Sequence, residues 1–339
     1  MTTIKAFAAK SKKDQLLPFS YEVKTLKPYE VLIDITHCGI CHSDIHLIDD
    51  DWQRSIYPLV PGHEVVGKIV EVGTMARLKI GDRVGVSWLY SSCLECPTCL
   101  SGDTQVCPDR KATCIGHHGG FAKQMTADSR FVYLIPQKLS SAIAAPLLCA
   151  GATVYAPMRR LKIQAAHHVA ILGIGGLGHL AIMFSKAFGC NVTAISSNKD
   201  KKEEAIKFGA QDFITLDELE KNPQKVAMRF DFILATTHAD MDWNRVCSTL
   251  KPSGTLCFLG RPQDPIVIDP SVAFGSERSI TGSAVANRLM IQEMLQFCQD
   301  HEIKPQIELM KMSQINEAIE RVRQNRARYR IVLEQDDPS

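Results

Sequence analysis

The sequence predicts an α/β protein in two parts, a mainly β first part and a second part built as a doubly wound parallel sheet. Three observations carry this. Residues 169–172 form a short apolar run that meets Gly173-Ile174-Gly175-Gly176-Leu177-Gly178, then apolar residues at helical spacing (Leu180, Ile182, Met183, Phe184, Ala187), then a second strand-like run at 191–195. Further strand-like runs at 212–215, 232–235, 256–259 and 280–284 follow, with helical patterns near 201–208 and 243–250. The earlier chain instead shows runs at 4–10, 30–36 and 65–72 and a turn at Gly81-Asp82 feeding a strand; Val31, Ile33 and Ile35 alternate with Leu32, Asp34 and Thr36.

Strand, glycine turn, helix, strand is the opening of a dinucleotide-binding βαβ unit. Gly173 permits the tight turn, Gly175 lets backbone approach a pyrophosphate, and Gly178 lets helix pack close to strand; Gly176 and Leu177 complete the turn. The helix N-terminus then offers N–H groups and partial positive charge to the phosphates. No acid stands at the tip of the second strand, where an NAD site places one for the ribose hydroxyls. Ser196, Ser197 and Lys201 stand there instead and suit a 2′-phosphate, so the sequence favours NADP over NAD. The alternative is a solvated helix start, with Ser or Asn capping a helix through Glu203 and Glu204.

A chain of 339 residues suggests about two domains. It is 45% apolar and 22% charged, with net charge +2 and pI about 7.9. Nothing in that balance calls for nucleic acid or an acidic surface. No basic segment followed by an apolar core opens the chain. The longest apolar stretches, 142–158 and 169–184, are interrupted by Pro146, Gly151 or the glycine turn, so no membrane span is expected and the protein is expected in the cytoplasm.

Twelve cysteines in such a chain point to metal ligands rather than disulfides. Cys93, Cys96, Cys99 and Cys107 follow Cys-x2-Cys-x2-Cys-x7-Cys. Four thiolates this close can surround one ion tetrahedrally, which favours a structural zinc; an iron–sulfur site or a redox pair are the alternatives. The lobe has few large apolar residues, so a metal would have to hold it together. Cys114, Cys190, Cys247, Cys257 and Cys298 have no partner at ligand spacing and read as packing residues. Cys41, His63 and Cys149 each have glycine or proline nearby, and two Cys with one His is a catalytic zinc set. Spacing alone leaves this grouping beside the alternative of inert buried cysteine.

Cys-Gly-Ile-Cys-His-Ser-Asp, Pro-Gly-His-Glu, the four-cysteine lobe, Ala-Pro-Leu-Leu-Cys-Ala-Gly and Gly-Ile-Gly-Gly-Leu-Gly-His occur in that order. Together they resemble the zinc-dependent medium-chain alcohol dehydrogenases. The branch is the cinnamyl alcohol dehydrogenase-like one, and within it the chain is similar to bacterial NADPH-dependent aldehyde reductases from end to end. The resemblance implies a GroES-like catalytic domain at 1–145 and 285–339, a Rossmann domain at 146–284, two zinc ions per chain and a homodimer. It implies catalytic-zinc ligands Cys41, His63 and Cys149, with Glu64 beside the metal and able to exchange with its fourth ligand. Asp44 matches a carboxylate that orients the histidine ligand. Ser43 and His46 match a proton relay, Asp51 an acid near it. His42 matches a residue near the cofactor pyrophosphate and Thr153 one near the nicotinamide. Ser196, Ser197 and Lys201 match the 2′-phosphate contacts. Without the resemblance, Ser43 and His46 read equally as a helix-capping pair.

Residues 289–297 predict one helix, and Ile315, Ala318, Ile319 and Val322 one face of another. Arg321, Arg323, Arg326, Arg328 and Arg330 read as solvated surface; His117, His118, His167, His168 and His179 have no ligand spacing and read as surface or loop residues; the tail after Glu334 reads as disordered. The expected activity is NADPH-dependent reduction of an aldehyde to an alcohol, with Trp52 and Trp88 in the substrate cleft by analogy. Two rivals remain: an NAD-dependent polyol or amino-alcohol dehydrogenase, and a non-catalytic zinc protein.

Overall fold

The computed structural model describes residues 2–260, 262 and 264–336. Chain contacts divide it into two units, Met1–Ala152 with Val285–Ser339, and Thr153–Ala284. Up to residue 152 the strands are β1 (Thr2–Ala8), β2 (Leu17–Val23), β3 (Glu30–Gly39), β4 (Glu64–Val72), β5 (Arg83–Val86), β6 (Leu89–Ser91), β7 (Lys111–Ala112), β8 (Gln124–Asp128) and β9 (Val132–Leu134). The second unit contributes β10 (His168–Leu172), β11 (Asn191–Ser196), β12 (Asp212–Thr215), β13 (Phe230–Ala235), β14 (Leu250–Phe258) and β15 (Ser279–Gly282). The returning chain adds β16 (Ile307–Lys311) and β17 (Arg330–Glu334).

In the first unit, a seven-stranded sheet runs β16-β17-β3-β4-β5-β9, with β8 also on β3. β3 sits in its middle, paired antiparallel with β4, β8 and β17. Val31, Leu32, Ile33, Ile35 and Cys38 are all buried, because a central strand covered on both faces needs apolar residues in both registers. The pairing aligns Gly39 with Glu64 and Cys38 with Val65, so the chain leaving β3 and the chain entering β4 meet at one end of the sheet.

The second unit is one parallel sheet, β12-β11-β10-β13-β14-β15, the strand order of a doubly wound dinucleotide-binding fold. Val169–Leu172 of β10 and Val192–Ser196 of β11 are buried throughout, as strands flanked by helices on both faces require. Phe230, Trp243, Leu250 and Leu256 pack in one core cluster.

Several expectations are corrected. The stretch expected to break at Pro146 and Gly151 is one helical run, Ser141–Arg160, 20 residues long with mean hydropathy 1.4. A π-turn, Leu147–Gly151, follows Pro146 and carries the helix past it. By length and composition this run could cross a membrane, but 78% of its apolar window is buried inside the protein, which marks a core helix. It also carries residues 146–152, expected with the second domain, in the first unit. Gln335 is not loose tail: its side chain donates to Ala122 O at 2.8 Å and its N–H to Thr36 O at 3.1 Å. The tail residues 337–339 lie outside the described residues. His179 is fully buried in the Gly178–Ala187 helix, its Nδ1 2.9 Å from Gly175 O, and His168 opens β10. The Ile315–Arg323 helix buries Ile315, Ala318, Ile319 and Val322 as expected. Of the arginines in and after it, Arg323 pairs with Asp49, Arg321 with Glu308, and Arg330 is buried.

Phe230 is fully buried where β13 enters the second unit's core. Phe230→Ala should destabilise that unit by about 3–5 kcal/mol, read by urea denaturation; a loss under about 1 kcal/mol would mean that the site collapses around the cavity.

Candidate active site

The His42–Ile48 helix begins immediately after β3, with Cys41 at its N-cap. Asp44, fully buried in its first turn, accepts three hydrogen bonds: from Cys41 N–H, from Gly62 N–H and from His63 Nδ1, each at 2.9 Å. A carboxylate partner fixes the proton on Nδ1. That turns Nε2 toward Cys149, whose Sγ lies 3.3 Å away. Cys149 sits on the π-turn, 4.0 Å sulfur to sulfur from Cys41. One donor atom each from Cys41, His63, Glu64 and Cys149 lie within 4.8 Å of one another. The helix cap is thus made by Asp44, not by Ser43 or His46.

The electrostatics of this cluster follow from burial and mutual contact. Cys41 is held well below the usual thiol range, first by its hydrogen bond with Cys149, and Cys149 is pushed up by the same bond. Burial opposes charge on His63, but the Asp44 carboxylate together with Cys149 and Cys114 raises its pKa well above the usual imidazole value. Burial pushes Glu64 up to about 7 against the pull of Arg330. Arg330, at the start of β17, bonds Glu64 Oε1; both side chains are almost wholly buried. Glu64 Oε2 is buried without a hydrogen-bond partner. Cys114, expected to be packing alone, is buried within reach of Asp44 and His63.

Ser43 and His46, three residues apart, share a face of the helix. His46 Nδ1 lies 2.8 Å from Asp51 Oδ2, so the acid near the relay is bonded to this histidine. Trp52 packs on His46 at 5.1 Å between ring centres, and its edge meets Trp88 at 5.9 Å. Trp88 in turn stands edge-on to His63 at 5.0 Å. An indole wall therefore runs from one histidine to the other.

In the four-cysteine lobe, sulfur separations are 3.6 Å for Cys93–Cys107 and 3.8 Å for Cys93–Cys99 and Cys96–Cys107. These are far beyond the ~2.05 Å of a disulfide. They match the ~3.8 Å edge of a tetrahedron with metal–sulfur arms of about 2.3 Å. N–H groups of Cys96 and Cys99 point at Cys93 and Cys96 sulfur, which favours thiolates. Among residues 92–108 the buried side chains are Ser92, Cys99, Thr104, Gln105 and Cys107, so no apolar core holds the lobe. The chemistry of the donors fits zinc in both clusters.

In the second unit, Gly173 takes φ +94° and Gly178 approaches so closely that a Cβ would lie 1.9 Å from Gly173 O. A Cβ on Gly175 would meet nothing, so the turn leaves space where a phosphate can lie against backbone. Gly176 and Leu177 lead into the helix, and Leu177 at its N-cap provides no side-chain acceptor. This turn fits a pyrophosphate. Beyond β11, Lys201 reaches back to Ile174 O in that turn. Ser196 accepts from Asn198 N–H at 3.2 Å, Ser197 is exposed, and Asn198 caps the next short helix. His42 opens the helix after β3, and Thr153 lies in the Ala152–Arg160 helix.

A β unit bearing two soft donor clusters, and a Rossmann unit with its glycine turn, define a dehydrogenase. Residues 27–137 match the alcohol dehydrogenase GroES-like domain, and residues 176–300 the zinc-binding dehydrogenase domain. The chain is 39% identical to the aldehyde reductase AdhA of Synechocystis over 97% of this chain and 98% of that one. A cinnamyl alcohol dehydrogenase structure from Sorghum bicolor superposes with TM-score 0.93 at 35% identity, covering 98% of both chains. One from Helicobacter pylori complexed with NADP(H) gives 0.90 at 32%, again over 98% of both. The chain belongs to the zinc-dependent medium-chain alcohol dehydrogenase family.

Arg330→Met would strand a buried Glu64 carboxylate. It should destabilise the first unit by about 3–5 kcal/mol, measured by urea denaturation at neutral pH, and adding Glu64→Gln should recover most of the loss.

Proposed function

We propose that the protein reduces aldehydes to primary alcohols with NADPH, reversibly, using a zinc held by Cys41, His63 and Cys149; a second zinc in the four-cysteine lobe is structural. The observation that carries this reading is the first donor cluster, in which two thiols, an imidazole and the Glu64 carboxylate converge within 4.8 Å, with Glu64 also bonded to Arg330. Bound zinc supplies Lewis acidity toward a carbonyl oxygen, and bound NADPH supplies hydride.

The chain's own residues do the rest. Asp44 holds His63 in one tautomer and fixes the Cys41 backbone, so the donors are set before any ligand arrives. His46, anchored through Nδ1 by Asp51, carries the exchangeable proton on Nε2, and Ser43 passes it to the substrate oxygen. Trp52 and Trp88 present apolar faces beside these groups, which favours flat, apolar aldehydes over polyols. Ser196, Ser197 and Lys201 receive the 2′-phosphate. The NADP(H) in the Helicobacter pylori structure supports that choice. By family analogy the protein works as a homodimer in the cytoplasm.

With benzaldehyde as substrate, kcat/KM should favour NADPH over NADH. Lys201→Ala should lower kcat/KM for NADPH roughly tenfold to a hundredfold and leave NADH nearly unchanged. A wild-type preference for NADH would point instead to the polyol dehydrogenase. Cys99→Ser should cost the protein one of two zinc ions by elemental analysis and expose residues 92–108 to protease; two ions retained would count against the structural site.

A further inference from the structure

We propose that Ser87 is a positioning residue for Cys149, holding the π-turn that brings this sulfur to the metal. The inference rests on the reading that Cys41, His63 and Cys149 hold that metal. The three donors are not placed by the same means. Cys41 and His63 are set by the register of β3 on β4 and by Asp44, whose three bonds reach Cys41, Gly62 and His63. Cys149 arrives on the π-turn Leu147–Gly151, outside that sheet, and needs a fixing point of its own.

Ser87 supplies it from the short link between β5 and β6. Its fully buried hydroxyl donates to Leu148 O at 2.6 Å, the carbonyl directly before Cys149. A peptide unit is planar, so a bond that fixes its oxygen also fixes where the next Cα, here that of Cys149, can lie. Leu148 is held at its other end as well: its methyl groups lie against Gly85, where a Cβ would come within 2.6 Å of Leu148 Cδ1. The Ser87 backbone is clamped in turn. Thr113 Oγ1 donates to Ser87 O at 2.5 Å, and Thr113 N–H to Trp88 O at 2.9 Å. Trp88 stands edge-on to His63, so Ser87 and Trp88 touch the surroundings of two donors from one two-residue link. A π-turn amounts to one extra residue in a helix. Relaxing it to an α-turn would re-aim side chains by about 100° per residue shifted. Without the hydroxyl, the buried Leu148 carbonyl loses a partner and the backbone gains a reason to move.

The test uses the full chain with cobalt(II) in place of zinc, because its visible bands report coordination. In Ser87→Ala the bands of the Cys41/His63/Cys149 site should shift, and a chelator should strip that cobalt roughly tenfold faster than in the wild type, while the lobe's cobalt leaves at an unchanged rate. With zinc, kcat should fall on the order of tenfold and KM for NADPH should stay put. Ser87→Thr, which keeps the hydroxyl, should restore both readings. Wild-type bands and a wild-type release rate in Ser87→Ala would overturn the proposal. Thermal unfolding decides if Ser87→Ala folds poorly. The loss in Tm from Ser87→Ala should be smaller in a Cys149→Ser background, where misplacing the sulfur no longer weakens metal binding; an equal loss in both backgrounds would overturn the positioning role. Failure of the underlying site reading looks different: the wild type would hold only the lobe's cobalt, Cys149→Ser would leave the metal content unchanged, and this inference would fall with that reading.

Discussion

The active end of the first unit depends on one buried carboxylate. Asp44 is fully buried, and placing a charge there costs several kcal/mol unless it is bonded. Its three acceptor bonds offset that cost, and each holds a different piece of chain: the helix start at Cys41, the turn at Gly62 and the ring of His63. Strand register does the coarse placement. With Gly39 opposite Glu64, Cys41 follows one strand and His63 precedes the other at the same end of the sheet. Asp44 then supplies the fine placement, since without it neither the tautomer nor the tilt of His63 is specified.

The Rossmann unit and the four-cysteine lobe of the first unit are stabilised by opposite means. The Rossmann unit buries Phe184, Phe230, Ile171 and Leu256 fully, and its order follows from apolar area. The cysteine lobe leaves Leu100 75% exposed and Val106 44% exposed, and has no comparable interior. Its turns are fixed by backbone bonds, by a few short side-chain bonds such as Gln105 to Asp103, and by four sulfurs at tetrahedral spacing. In that segment a metal would be part of the folding free energy itself, not an addition to a finished fold.

What could be read from the sequence was what local spacing determines. The glycine turn, the four-cysteine pattern and the apolar strands of the parallel sheet each announce themselves within about fifteen residues. Contacts made at long range were not legible. Arg330 looked like one more arginine in a charged run, yet antiparallel pairing of β17 with β3 carries it to Glu64. Its one local signal was the apolar run Ile331-Val332-Leu333 directly after it, which marks a buried strand whose first residue is buried too. His179 was misplaced for a related reason: a polar residue on a buried helix face is masked unless its acceptor, here Gly175 O, can be foreseen. The long helix was missed because a proline within an apolar run normally ends it, and the π-turn that absorbs Pro146 leaves no mark in hydropathy.

The cofactor end shows how one contact can serve structure and recognition together. Lys201 stands beyond the tip of β11 but bonds Ile174 O, inside the glycine turn. The two places that a dinucleotide phosphate would visit are thereby tied before a ligand binds. An ammonium has three donors, so a bond to a carbonyl and a bond to a phosphate are compatible. Holding a long, rotamer-rich side chain in place beforehand lowers the ordering cost that binding would otherwise carry. Ser196 adds to this, because its hydroxyl already orders the Asn198 backbone on the same loop. Preference for a 2′-phosphate would then come from a loop organised around its cation as much as from the absence of an acid at the strand tip.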